Sequence, residues 1–194
     1  MHGLINRSIQ NYFCANYGQR LWADVAARAG LDFTEFEAML TYPDHVTPAV
    51  LEAVCAVLDR PRAEVMEDVG TFLVAQPGYE AVRRLLRFGG GSFSDFLQSL
   101  DDLPDRTRLA LSELHLPPVE LREDPDGQYS LICEAPLVGY GYLMMGVLRA
   151  MADDYGALVL LEHCGRSEGA EALKIILVEA EFSEGRRFEL GARA

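Results

Sequence analysis

Positive charge is scarce in this chain. Lys and Arg total 17 against 30 Asp and Glu, a net charge of −13 over 194 residues. A chain so acidic repels nucleic-acid phosphates and anionic membrane surfaces, so neither is expected as a partner. The only dense basic group is Arg83, Arg84 and Arg87. Cysteine is also sparse. Cys14, Cys55, Cys133 and Cys164 form no C-x-x-C pair, which argues against a sequence-local zinc site. His2, His45 and His163 are scattered without metal-ligand spacing. No apolar run approaches the ~18 residues of a membrane span. The start MHGLINRSIQ lacks the basic and long apolar regions of a signal peptide. A cytoplasmic protein with free thiols is the expectation.

Hydrophobic residues make up 49% of the chain and charged residues 24%, ordinary globular usage that excludes wholesale disorder. The length suits one domain with a real core.

The first hundred residues read as helices. Leu4, Ile5, Ile9, Tyr12 and Phe13 recur at helical spacing up to Gly18. A second stretch from Leu21 to Ala29 stops at Gly30, and Thr34 with Glu37 forms a capping-box pattern that reopens a helix. Thr47-Pro48 reads as N-cap and first turn of the next helix, which Arg60-Pro61 breaks. Further helices run from Pro61 to Leu73, through Leu85 and Leu86, and from a Ser92 or Ser94 cap through Leu100, halting near Pro104.

After Pro117-Pro118 the pattern changes. Val119 to Arg122 and Gln128 to Cys133 read as strands joined by the turn Asp124-Pro125-Asp126-Gly127. Leu143 to Tyr155 reads as a helix. Ala157 to His163 and Ala172 to Ala180 read as strands joined through Gly165 to Gly169. The order is therefore helices followed by β-β-α-β-β, an α+β fold. The segment 183–194 reads as a frayed tail.

No catalytic constellation stands out. Gly139-Tyr140-Gly141-Tyr142 lacks the third glycine and the parallel context of a dinucleotide fingerprint, and Gly89 to Gly91 lacks the Lys-Ser/Thr of a P-loop. Asp101-Asp102 and Asp153-Asp154 read as solvated helix ends, because adjacent helical residues do not share a face. No Ser-His-Asp or Cys-His arrangement has local support. The chain is read as a non-enzyme.

Several segments, taken in order, resemble the H-NOX (HNOB) family of haem-based gas-sensing domains. The start M-H-G-L-I-N resembles the family's M-x-G-x-[IV]-N. Tyr17-Gly18, Trp22 and Ala29-Gly30-Leu31 are similar to its YG…W…AGL stretch. LQSLDDL at Leu97 to Leu103 and His115-Leu116-Pro117-Pro118 resemble the segments around its haem ligand and first strand. The resemblance covers nearly the whole chain. It implies one domain over 1–182, with a helical subdomain of about 1–104 packed on an antiparallel sheet subdomain of about 117–182 that carries one long helix.

The chain departs from the family where the chemistry lies. Pro104 stands at the position of the haem-ligating histidine, and proline offers no ligating nitrogen. The family's Tyr-x-Ser-x-Arg motif holds the haem propionates; its positions here are Cys133, Ala135 and Leu137. Arg to Leu would leave buried carboxylates unpaired, at a cost of several kcal/mol. No cofactor is therefore expected.

The resemblance then implies an inherited cavity. Ile5 and Leu73 come from the early helices, and Leu97, Leu100, Leu103 and Pro104 precede the sheet. Pro117, Cys133 and Leu137 line its strand side, and Tyr140, Tyr142, Met144, Met145 and Leu148 its long helix. Pro117 or Pro118 matches the family's haem-bending proline, and Tyr142 matches the distal tyrosine of oxygen-binding members. That lining suits a hydrophobic small molecule, a fatty acid or isoprenoid. Related vinyl-reductase and vesicle-tethering domains make an acyl chain a natural occupant.

Two alternatives stand beside this. Tyr140, Tyr142, Cys133 or His115 could serve as a non-standard iron ligand in a haem-based NO or O2 sensor, or the cavity could be closed in a ligand-free interaction module. Family analogy implies a histidine kinase or cyclic-nucleotide enzyme as the signalling partner, read through a shift between the two subdomains.

Overall fold

The structure, a computed structural model, describes residues 1–188. The chain forms two compact units, 1–69 and 70–194, divided within one helix. The helices between 80 and 110 belong to the second unit, whereas the sequence points to a division near residue 104.

The first unit contains α1 (Gly3–Tyr17), α2 (Gln19–Arg28), α3 (Val46–Leu58) and the start of α4 (Arg62–Ala75). Phe13, Trp22, Phe36, Val50 and Leu51 are buried at its centre. The helix expected from Thr34 does not form. The Thr34 carbonyl accepts from Trp22 Nε1 at 2.7 Å, and the Phe36 N–H is taken by Gln10 Oε1 at 2.9 Å. Those groups are thereby withdrawn from a helical ladder, while Phe33, Phe36 and Tyr42 pack their rings together. Thr47 is not the cap of α3 either. It lies in the first turn, fully buried, and its hydroxyl donates to Asn6 Oδ1 at 2.7 Å.

The second unit carries the end of α4, then α5 (Glu80–Arg87), α6 (Phe93–Gln98) and α7 (Leu103–Ala110). Next come β1 (Val119–Glu123), β2 (Tyr129–Glu134), α8 (Tyr140–Tyr155), β3 (Leu158–Ser167) and β4 (Ala170–Glu179). Ser92 caps α6 in a complete capping box with Asp95. Pro104 does not end a helix. It sits in the first turn of α7, where its missing N–H costs nothing.

The strands form one antiparallel sheet in the order β1-β2-β4-β3. Glu168 and Gly169 turn β3 into β4 with positive φ values of 52° and 89°, so these strands run longer than expected and the turn is tighter. Alternation along the sheet directs Tyr129, Leu131 and Cys133 of β2, and Leu173 and Ile175 of β4, to one face. These join Phe96 and Leu97 of α6 and Met144, Leu148 and Met151 of α8 in a single buried cluster. Each such side chain contributes roughly 1.5–3 kcal/mol by leaving water.

The far end of α8 corrects the reading of Asp153-Asp154. Asp153 is exposed, but the Asp154 side chain is 1% exposed. Its carboxylate meets Arg83 Nε at 2.6 Å, Arg87 Nε at 3.4 Å and Arg186 Nε at 3.8 Å. Arg87 also lies over the Tyr155 ring, 3.9 Å from its centroid. Arg83 and Arg87 are thus turned onto a carboxylate rather than forming an open basic patch. Ser183 and Arg186 donate backbone N–H bonds to the Gly156 and Asp154 carbonyls, both at 2.9 Å. The part of the expected frayed tail from Ser183 to Phe188 is therefore tied to α8; residues 189–194 lie outside the described residues.

Gly70, at the start of the second unit's share of α4, has no room for a side chain: a Cβ there would collide with the Leu143 carbonyl of α8. Gly70→Ala is expected to lower stability by about 1–3 kcal/mol through overpacking. Urea unfolding measures this, and an unchanged midpoint would contradict the close approach of α4 and α8.

Candidate functional site

Two adjoining features make up the candidate site, both within residues 70–188. The first is the apolar cluster. Leu97, Leu100, Leu103, Cys133, Tyr140, Met144, Met145 and Leu148 lie together in it, and Tyr142 packs half-buried against its border. Leu73, Pro104, Pro117 and Leu137 are half-buried outside this cluster. Ile5 is half-buried on α1, in the first unit. His115 is exposed, with Nδ1 facing the Glu113 carbonyl at 3.1 Å. Burial pushes the Cys133 thiol up to about 12, with the nearby Glu171 carboxylate adding to the rise. Burial likewise raises the Tyr140 phenol, so at neutral pH both groups keep their protons.

The second feature is a buried carboxylate that periodicity and motif matching passed over. Glu171 sits on β4 directly opposite Cys133 of β2, and its side chain is only 4% exposed. Oε1 accepts from the Gly139 N–H at 2.7 Å, and Oε2 from the Gly141 N–H at 2.8 Å. Gly139 reaches this geometry in the left-handed region, at φ 93°. The carboxylate so caps the N-terminus of α8, where the helix dipole favours negative charge.

Two side chains complete the arrangement. His163 Nε2 lies 3.1 Å from Oε2, and His163 Nδ1 accepts the Gly165 N–H at 3.1 Å. That second bond requires an unprotonated Nδ1, so the proton lies on Nε2 and is donated to Glu171. Arg166 Nη1 stands 3.5 Å from Oε1, and Arg166 Nη2 donates to the Ala135 carbonyl at 3.2 Å. The Tyr142 ring stacks on His163 with centroids 4.0 Å apart and planes 2° from parallel.

The sequence did hold a signal for this. Strand alternation places Glu171 in the inward series with Leu173 and Ile175, and an inward acid demands partners.

Comparison with known proteins fixes the family. A profile described as Haem-NO-binding matches residues 2–163. The chain belongs to the Haem-NO-binding family. It is 24% identical to soluble guanylate cyclase 89Da of Drosophila melanogaster over 161 residues, 81% of this chain and 24% of that protein. It is 27% identical to soluble guanylate cyclase gcy-32 of Caenorhabditis elegans over 155 residues, 78% of this chain and 23% of that protein. The chain thus spans about a quarter of the length of these relatives.

Among solved structures, an H-NOX protein from S. oneidensis in the Fe(II)NO ligation state matches at 18% identity. Its TM-score is 0.76, over 91% of this chain and 99% of that one. A Cs H-NOX variant carrying 4-cyano-L-phenylalanine matches at 15% identity and TM-score 0.75, over 94% and 100%. These likenesses show the H-NOX fold. As an H-NOX domain, the chain is sensory rather than catalytic.

The residues present do not match a histidine-ligated haem with clamped propionates. Pro104 lies in the first turn of α7 with no ligating atom to offer. The second unit has two histidines, one exposed and one bonded to Glu171. Ala135 presents its carbonyl to Arg166, and that guanidinium already faces Glu171.

Burial alone would push the Glu171 carboxyl up, but the Gly139 N–H, His163 and the Gly141 N–H together hold it below its ordinary 4.5. A depressed folded-state value means the group's stabilisation is complete above the ordinary value and is lost as pH falls through the lower one. The melting temperature should therefore drop below about pH 4.5. Glu171→Gln should flatten part of that drop while lowering stability at pH 7. Parallel pH profiles for the two proteins would contradict the assignment.

Proposed function

We propose that this chain is a ligand-responsive sensory domain of the H-NOX type that does not attach haem in the family manner. It instead takes an apolar, fatty-acid-like small molecule in the interior of its second unit. The observation that carries this is the pairing of Pro104 at the ligand position with Cys133, Ala135 and Leu137 at the clamp positions. Cys133 and Ala135 share one buried apolar cluster with Leu97, Leu100, Met144 and Leu148. Such a lining favours hydrocarbon and offers no compensation to two propionates.

The domain is proposed to span 1–182 and to work in the cytoplasm, passing its state to a histidine kinase or cyclic-nucleotide enzyme. The soluble guanylate cyclases support that partner class, since the chain matches only about a quarter of them. Ligand binding acts by favouring one conformational population over another.

A second reading has its own support. The lining residues pack directly into one continuous core, as in a closed interaction module without a ligand.

Native mass spectrometry of freshly purified, unreconstituted protein separates these. A co-purified mass of an acyl-chain compound is the expected result. A stoichiometric haem mass would overturn the proposal, and a bare chain that also ignores apolar additives would favour the closed module.

A further inference from the structure

We infer that Glu171 sets the charge class of the ligand, so that the interior accepts an apolar molecule with an uncharged polar head and rejects the corresponding carboxylate. This rests on the apolar-ligand reading above and narrows it.

The polar edge of the apolar cluster is where Cys133, Tyr140 and Tyr142 meet the Glu171 network. Glu171 faces Cys133 across the β2–β4 ladder, and the two α8 residues begin the helix that Glu171 caps. An acid head lodged there would need hydrogen-bond donors and a compensating cation. The backbone and imidazole donors there are already engaged. The Gly139 and Gly141 N–H groups and the single proton of His163 all go to Glu171. Arg166 divides its guanidinium between Glu171 and the Ala135 carbonyl. The network is also neutral as it stands, with one carboxylate, one guanidinium and an uncharged imidazole. A second carboxylate would bring an unbalanced negative charge beside a buried one.

At the other end of α8 the arginines face the chain's own groups, although Arg87 Nε, Arg87 Nη1 and Arg106 Nε make no hydrogen bond among the described residues. Arg83 and Arg87 face Asp154, and Arg106 donates to the Ser99 carbonyl at 2.6 Å.

What the edge does offer is the Tyr140 hydroxyl. It keeps its proton, and among the described residues it has no acceptor. One phenolic donor suits a neutral oxygen, as in a long-chain alcohol, aldehyde or ester. The chain's own carboxylate thus fills the place an acid head would take.

The experiment is a matched pair of probes, 1-dodecanol and dodecanoate, titrated against the full chain at pH 8 and read by thermal shift and equilibrium dialysis. Wild type should bind the alcohol at least ~10-fold more tightly than the acid, given a like charge within several ångströms in a low-dielectric setting. In Glu171→Ala the preference should collapse or reverse. Glu171→Gln, which keeps the shape and most hydrogen bonds, carries the test if the alanine variant fails to fold. Equal wild-type binding of acid and alcohol, or an unchanged preference in the glutamine variant, would overturn the inference while leaving the apolar-ligand reading intact. Binding of neither probe to wild type would overturn both.

Discussion

A carboxylate withdrawn from water must find compensation, and in this chain the compensation of Glu171 organises the candidate site. Its two oxygens join four parts of the second unit: β4, which carries the residue, β3 through His163 and Arg166, the N-terminus of α8 through two backbone donors, and the end of β2 through Arg166 and the Ala135 carbonyl. Leaving any of these donors unpaired in a buried setting costs about 1–3 kcal/mol. The absence of a side chain at Gly141 belongs to the same device. A Cβ there would lie 2.7 Å from Glu171 Oε2 and 2.9 Å from His163 Nε2. The start of α8 is set by this contact, and with it the placement of Tyr140, Tyr142 and Met144 at the edge of the apolar cluster.

Much of the fold was legible from the residues. Helical spacing located α1 and α2, a Ser92 or Ser94 cap marked the start of α6, and the Asp-Pro-Asp-Gly turn located the β1–β2 hairpin. These are local signals, fixed by capping and turn chemistry. The departures share a cause. Thr34 and Thr47 look like helix caps, yet Trp22, Gln10 and Asn6 claim the groups concerned across the first unit. Tertiary hydrogen bonds outbid local propensity there, and no window of neighbouring residues contains them. Pro104 reads as the stop of a helix; the structure instead places it in the first turn of the next one.

The candidate site was legible in its apolar part and hidden in its polar part. Leu97 and Leu100 fall on a helical apolar stretch, and the resemblance to the H-NOX family singled them out together with Met144 and Leu148. Asp154 and Glu171 do not stand out, since an acid on an amphipathic element is ordinarily solvated. Each is buried because arginines or helix-end N–H groups from distant segments converge on it. The two buried acids sit at opposite ends of α8, one near its N-terminus and one in its last turn. The helix between them carries buried Met144, Leu148 and Met151, so its apolar face is flanked at both ends by a buried acid.

That arrangement gives physical content to the divergence from the family's ligand set. On the proposed reading, Pro104, Cys133, Ala135 and Leu137 stand where the family carries its iron ligand and clamp, and Glu171 engages the guanidinium of Arg166. The most direct test is a haemin titration of the full chain under reducing conditions, followed by absorbance in the Soret region. The account predicts no saturable, stoichiometric band beyond that of free haemin. A sharp band saturating at one haem per chain would contradict it.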